Sequence, residues 1–244
     1  MIKSRERQYD RITSVDLAPW PGTPPSDPSA MFTATVHCEY RVTPASRVMR
    51  FSCVSDQAAY EKLLRDPESA VVWKFRPSGK LQADDKDAFA LTQFTIDGTS
   101  LPIRHVKQTR SQSYMVSLPD DTATEPGPAD TASTQKVTIA YTYQALLRSR
   151  GHLFYLDVGV LTKGLKVAFR YGGCCIRDIS PLNSIASSAP PRLTQTPWSP
   201  PTPSVEISFD NWVLPRAGVA FVWTLDQEAE LQPSSTPQVV ASRP

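Results

Sequence analysis

Histidine and cysteine are the side chains that most readily hold metals or attack substrates, and this chain carries few of either. It has three histidines, His37, His105 and His152, and four cysteines among 244 residues. Zinc sites favour H-x-x-x-H or H-x-H spacing, and no histidine here has such a partner. His37 falls between Thr35 and Glu39 on the polar side of an alternating segment. His105 sits in the basic stretch Arg104–His105–Val106–Lys107, and His152 follows Arg148, Arg150 and Gly151 in a turn. All three read as strand or surface positions, so no metal and no cofactor is expected.

Nucleophile motifs are absent as well. There is no G-x-S-x-G elbow, no G-x-x-x-x-G-K-[ST] phosphate loop and no G-x-G-x-x-G turn. Cys174 follows Gly172–Gly173, but a reactive thiol needs a nearby histidine or helix N-terminus, and only Arg170 and Arg177 are close in sequence. It reads as a bulge ahead of an edge strand. No C-x-x-C pair occurs, and Cys38, Cys53, Cys174 and Cys175 are expected as reduced thiols. Asp84–Asp85–Lys86–Asp87 lacks the glycine and distal glutamate of a calcium loop and reads as a solvated turn. Asp157 is a lone carboxylate in the apolar run Leu153–Leu161. It shares a face with Tyr155 and Gly159, the expected wet side.

Binding is the chemistry these residue types favour. Trp212, within Asn211–Trp212–Val213–Leu214–Pro215, is a candidate aromatic anchor for a protein partner, beside Arg216; its alternative role is to cap the core. Arg148, Arg150 and His152 are candidates to meet a small anion. The cations Arg104, Lys107, Arg110, Lys163 and Lys166, with Tyr114, Tyr141 and Tyr143, could make a stacking surface for nucleic acid. The tyrosines, however, alternate onto the apolar side, so nucleic acid is disfavoured.

The elements that must position these residues are strands. Phe32, Ala34, Val36, Cys38, Tyr40 and Val42 face one way and Thr33, Thr35, His37, Glu39 and Arg41 the other, the period of a half-buried strand. Arg47–Val54 is expected to pair back on it with partner numbers summing to 89, which sets Tyr40 opposite Met49 and Cys38 opposite Phe51. Ser55–Arg65 is the one good helix, capped by Ser55 or Asp56. Val71–Phe75, Ala88–Ile96, Leu101–Val106 and Ser113–Leu118 read as strands, with Asp97–Gly98 a hairpin turn. Further alternating faces are Val137–Tyr143, Phe154–Val160, Leu165–Tyr171, Val205–Phe209 and Val219–Leu225. Twenty-three prolines against ten glycines stiffen the connections.

The expected fold is all-β, a sandwich or partly open barrel of roughly ten to twelve short antiparallel strands with one short helix near 55–65. Residues 1–30 are expected as a flexible lead-in and 31–118 as a β-rich half. Residues 119–135 follow as a linker or long loop, 136–232 as a second β-rich half and 233–244 as a disordered tail. Net charge is +2, too small to draw nucleic acid or membrane by field alone. The charged start has no apolar segment behind it, and no run approaches the roughly 20 residues of a membrane span. A cytoplasmic location is therefore expected, with no membrane segment. The function expected is a non-enzymatic recognition or assembly module that binds a protein partner or its own copies. The alternatives are a sensor of a small anionic ligand such as a nucleotide, and an enzyme with a spatially assembled site.

Overall fold

Alternating apolar residues give the chain fifteen strands among its described residues. The computed structural model describes residues 6–24, 27, 30–77, 79, 81–119, 136–183, 191–196, 203–215 and 217–229. The first half holds β1 (Arg7–Pro19), β2 (Met31–Val42), β3 (Val48–Val54), α1 (Gln57–Arg65), β4 (Ser69–Lys74), β5 (Phe89–Ile96), β6 (Thr99–Ser100), β7 (Arg104–Gln108) and β8 (Ser111–Ser117). The second holds β9 (Val137–Arg148), β10 (Leu153–Val158), β11 (Leu161–Arg170), β12 (Ile176–Asn183), β13 (Arg192–Thr196), β14 (Ser204–Val213), β15 (Ala217–Leu225) and a last helical turn, α2 (Asp226–Ala229). The fold is all-β.

Three sheets result among the described residues. The largest runs β13-β14-β11-β1-β2-β9-β5-β6, a second runs β4-β3-β8-β7, and a third runs β10-β15-β12. Strands from the two halves interleave: β9 lies between β2 and β5, and β1 between β2 and β11. The pairs β1·β11 and β3·β4 are parallel, a departure from the antiparallel expectation. A parallel neighbour needs a crossover, and α1 supplies the one between β3 and β4. The Asp56 carboxylate caps that helix by accepting the Ala59 N–H at 2.8 Å.

Two expectations are corrected. Residues 7–19, read as part of a flexible lead-in, form β1 in the middle of the large sheet. Their polar sequence hides a strand because Asp10, at φ 52°, adds one residue against β2 between Tyr9 and Ile12. The bulge breaks the alternation, so Gln8 and Arg11, three apart, both point inward. The second correction is the hairpin. β2 pairs with β1 and β9, while β3 pairs with β4 and β8. Thr43–Arg47 instead carries the chain from one layer to the other. Residues 120–135 of the expected linker and the tail 233–244 lie outside the described residues.

Asp97 and Gly98 both have positive φ, 47° and 80°, and close the two-residue turn that joins β5 to β6. This is the primed turn that Asp-Gly favours. Leu101–Ile103 then leads from the large sheet to β7 in the second sheet.

Both smaller sheets pack on one face of the large one. Phe51 of β3 meets Tyr141 and Phe94, with ring centroids 4.9 and 6.1 Å apart. Phe154 of β10 and Phe221 of β15 meet Phe169 of β11 at 5.7 and 4.4 Å. Trp223 is 1% exposed, and its indole N–H donates to the Ser149 carbonyl at 2.8 Å, which ties β15 to the end of β9. The second sheet thus covers the β2–β9–β5 side and the third covers the β11–β14 side.

Candidate functional site

A cleft of about 820 Å³ opens between the two smaller sheets. Its floor is the inward face of the large sheet, including Arg11, Thr13, Cys38, Tyr40, Tyr141 and Tyr143. One wall is the stretch from Pro67 to Arg76, and every residue in it lines the cleft. Side chains alternate along a strand, so a wall built from one face of β4 would show every second residue. An unbroken run means that the open edge of β4 is itself the wall. The facing wall carries Leu153, Tyr155, Leu156 and Asp157 of β10. Among the described residues, β4 and β10 are terminal strands of their sheets, and no ladder joins them. Side chains alone approach across the gap, with Trp73 and Phe154 ring centroids 6.2 Å apart.

The rim is apolar and exposed. Tyr60 and Leu64 of α1 stand on the β4 side, Leu153 and Tyr155 on the β10 side. Leu64, Leu153 and Tyr155 belong to the small set of large apolar side chains left exposed, at 38%, 50% and 47%. Clustering of such residues at a groove is what marks a contact surface; scattered singly they would mean little. The Tyr155 ring lies across Gly218, a spot a Cβ would occupy, so the backbone of β15 holds it in place. The Trp73 indole N–H is buried in the wall without a hydrogen-bond partner among the described residues.

The floor holds a buried cation. Arg11 is 8% exposed. Its Nε donates to Thr13 Oγ1 and its Nη1 to Gln8 Oε1, both long at 3.4 Å. It forms no ion pair among the described residues. Burial opposes its charge, but the anions that Cys38, Tyr141 and Tyr40 become only at high pH favour it more, so the guanidinium is held well above its usual range. Around it, burial pushes the hydroxyls of Tyr40, Tyr141 and Tyr143 above their ordinary values, which keeps them protonated. Glu6 lines the same cleft, and its charge adds to the upward push on Tyr40.

The residues singled out in the sequence fall in different places. Trp212 is 37% exposed, edge-on to Tyr9 at 5.8 Å, and Lys136 Nζ sits 3.7 Å above that ring. It borders the sheet and does not cap the core. Arg216 lies outside the described residues. Arg148 lines the far end of the cleft and donates to the Pro77 carbonyl at 3.0 Å. Arg150 is exposed in the turn Ser149–Gly151. His152 Nδ1 donates to the Trp223 carbonyl at 3.0 Å, and its Nε2 is 3.2 Å from Glu228. Trp212 shares a row with Lys163, Tyr9 and Arg41, whereas Arg148 shares one with Met31. Ten residues of β2 separate those rows, about 33 Å at strand rise. The structure therefore does not gather them into one site.

Arg11 and the edge of β4 escaped sequence reasoning. The signal for Arg11 was the alternation Arg11, Thr13, Val15, Leu17, which places an arginine in phase with an apolar face.

The other candidates for chemistry are dispersed. His105 stacks on Tyr114 at 4.3 Å and donates to Gln112 Oε1 at 3.0 Å; His37 lies 3.1 Å from Thr142 Oγ1. Asp157 is exposed, on the wet side expected of it. Cys174 is buried, and burial pushes its thiol up to about 12, the reverse of an activated nucleophile. Among the described residues, no three His, Cys, Asp or Glu side chains group to hold a metal. No helix among them is long and apolar enough to cross a membrane.

No family model matches the chain, and no curated protein matches it in sequence. Solved structures share features of its backbone. A putative protease from Parabacteroides distasonis is similar at 9% identity over 89% of this chain and 40% of its own, with a TM-score of 0.45. The E323A mutant of an M1 zinc metallopeptidase from Deinococcus radiodurans matches at 10% identity, over 91% of this chain and 43% of its own, with a TM-score of 0.45. A putative nutrient binding protein from Legionella pneumophila matches at 6% identity, over 91% of this chain and 68% of its own, with a TM-score of 0.37. The chain thus spans about two fifths of the length of the first two, and likeness of this degree assigns no activity.

Proposed function

We propose that this protein is a non-enzymatic recognition module that receives an extended segment of a protein partner in the cleft between β4 and β10. The observation that carries this reading is the uninterrupted wall Pro67–Arg76, an open strand edge facing a second open edge over a floor of buried side chains. An unpaired edge offers a row of N–H and C=O groups, and adding a strand is a common way for a sheet to bind a peptide. The apolar rim would supply side-chain contacts at both walls. A sensor of a small anionic ligand is the second reading, supported by the buried cation Arg11.

The backbone phase of β4 provides a test. Phe75 N–H donates to the Val54 carbonyl on the β3 side. By alternation the Val72 N–H faces the open edge. Val72→Pro removes that donor and leaves the β3 ladder in place. An array of β-prone octapeptides screened by fluorescence anisotropy should yield binders to the wild type, and Val72→Pro should weaken them at least tenfold with an unchanged melting temperature. Equal binding by the variant would refute strand addition at β4.

A further inference from the structure

We propose that Arg11 is a buried receptor for a single carboxylate carried by the extended segment in the cleft. The identity of the occupant rests on the strand-addition reading, while the carboxylate site stands on its own geometry.

A guanidinium has five N–H donors in a planar fork and stays protonated in any protein environment. Here two of those donors reach neutral oxygens at 3.4 Å, beyond the usual range of strong hydrogen bonds, and the Cys38 thiol is a further weak partner. A buried charge normally finds a counter-ion, and this one has none among the described residues although a cleft lies directly over it. The fork fits a carboxylate bidentately.

The surroundings narrow the anion further. Tyr40, Tyr141 and Tyr143 line the same floor, are held protonated by burial, and form no hydrogen bond through their hydroxyls among the described residues. They are donors without acceptors, beside a single positive charge. Glu6, which lines the same cleft, is engaged by the Ala45 N–H at 3.4 Å, and one further monovalent carboxylate balances that set. A phosphate dianion would need a second buried cation, and the other cations of the cleft, Lys74, Arg76 and Arg148, lie at the wall or its end. Two carboxylate sources fit, an acidic side chain and a chain terminus.

The test uses the full chain and two probes. The first is propionate, with propionamide as the neutral control, followed by melting temperature at constant ionic strength. Propionate should raise the melting temperature of the wild type by a few degrees, and Arg11→Met should abolish the rise. Arg11→Lys, which keeps the charge but loses the fork, serves as a second variant and should show a reduced one. The second probe is the best octapeptide in matched forms: Glu against Gln at each acidic position, and free against amidated C-terminus. The wild type should prefer one carboxylate form at least tenfold, the preferred form naming the source, and Arg11→Met should lose that preference.

Arg11→Met binding every form as the wild type does, with propionate stabilising both proteins equally, would overturn the carboxylate site. If Val72→Pro still weakened the peptides in that case, strand addition would survive alone. If no octapeptide bound but propionate stabilised the wild type through Arg11, the carboxylate site would stand and the peptide reading would fall.

Discussion

A charge at the bottom of a cleft is costly, and Arg11 shows how one residue can hide in a sequence. It lies in β1 among Arg7, Asp10 and Asp16, a stretch with only Val15 and Leu17 to mark a buried face. The bulge at Asp10 shifts the phase of everything before it. Arginine is also a residue that sequence reasoning places outside by default. Trp212 was legible as a notable residue, but not its setting, because its neighbours Tyr9 and Lys136 come from distant segments. The cysteines were easier to read. All four are free; Cys38, Cys53 and Cys174 are buried and Cys175 is exposed. Burial pushes Cys53 and Cys174 up to about 12 from 9.0. Ellman's reagent at pH 8 should therefore titrate one thiol in the native protein and four in denaturant, and a Cys175→Ser variant should give none until unfolded. The raised values also set a pH window. Above about pH 9 the unfolded thiols lose protons that the folded ones retain, so stability is fully present below pH 9 and falls as pH rises toward 12.

At the scale of elements, alternation identified faces well. The inward set Phe32 to Val42 is buried as read, and so are Phe154, Leu156 and Val158, and Val219, Phe221 and Trp223. Alternation cannot name a strand's partner, however. A connection of four or five residues suits a hairpin and also suits a step between stacked layers, and apolar faces agree with both. Thr43–Arg47 makes the step, so the register summing to 89 does not form. Packing between layers rests heavily on aromatic contacts around Phe169, which touches Phe154, Phe221 and Trp223. Phe169→Ala should cost about 3–5 kcal/mol of stability in urea unfolding, because it both removes buried area and leaves a cavity. A loss below about 1 kcal/mol would mean that the third sheet is not held to the large one through this cluster.

The molecule as a whole sets the cleft. Eight strands make one broad sheet, and two smaller sheets share its inner face without joining each other. The all-β class was legible from composition and period. The division into three sheets was not, since it depends on pairings such as β1·β11 and β2·β9 between distant parts of the chain. The open edges of β4 and β10 follow from that division, and strand addition depends on them. Hydrogen–deuterium exchange of the full chain with and without its best octapeptide tests this most directly. Joint slowing of the β4 and β10 amides, with the outer edges β7 and β12 unchanged, is the predicted result. Protection confined to the Trp212 region or to β7 and β12, with β4 and β10 exchanging as in the free protein, would contradict it.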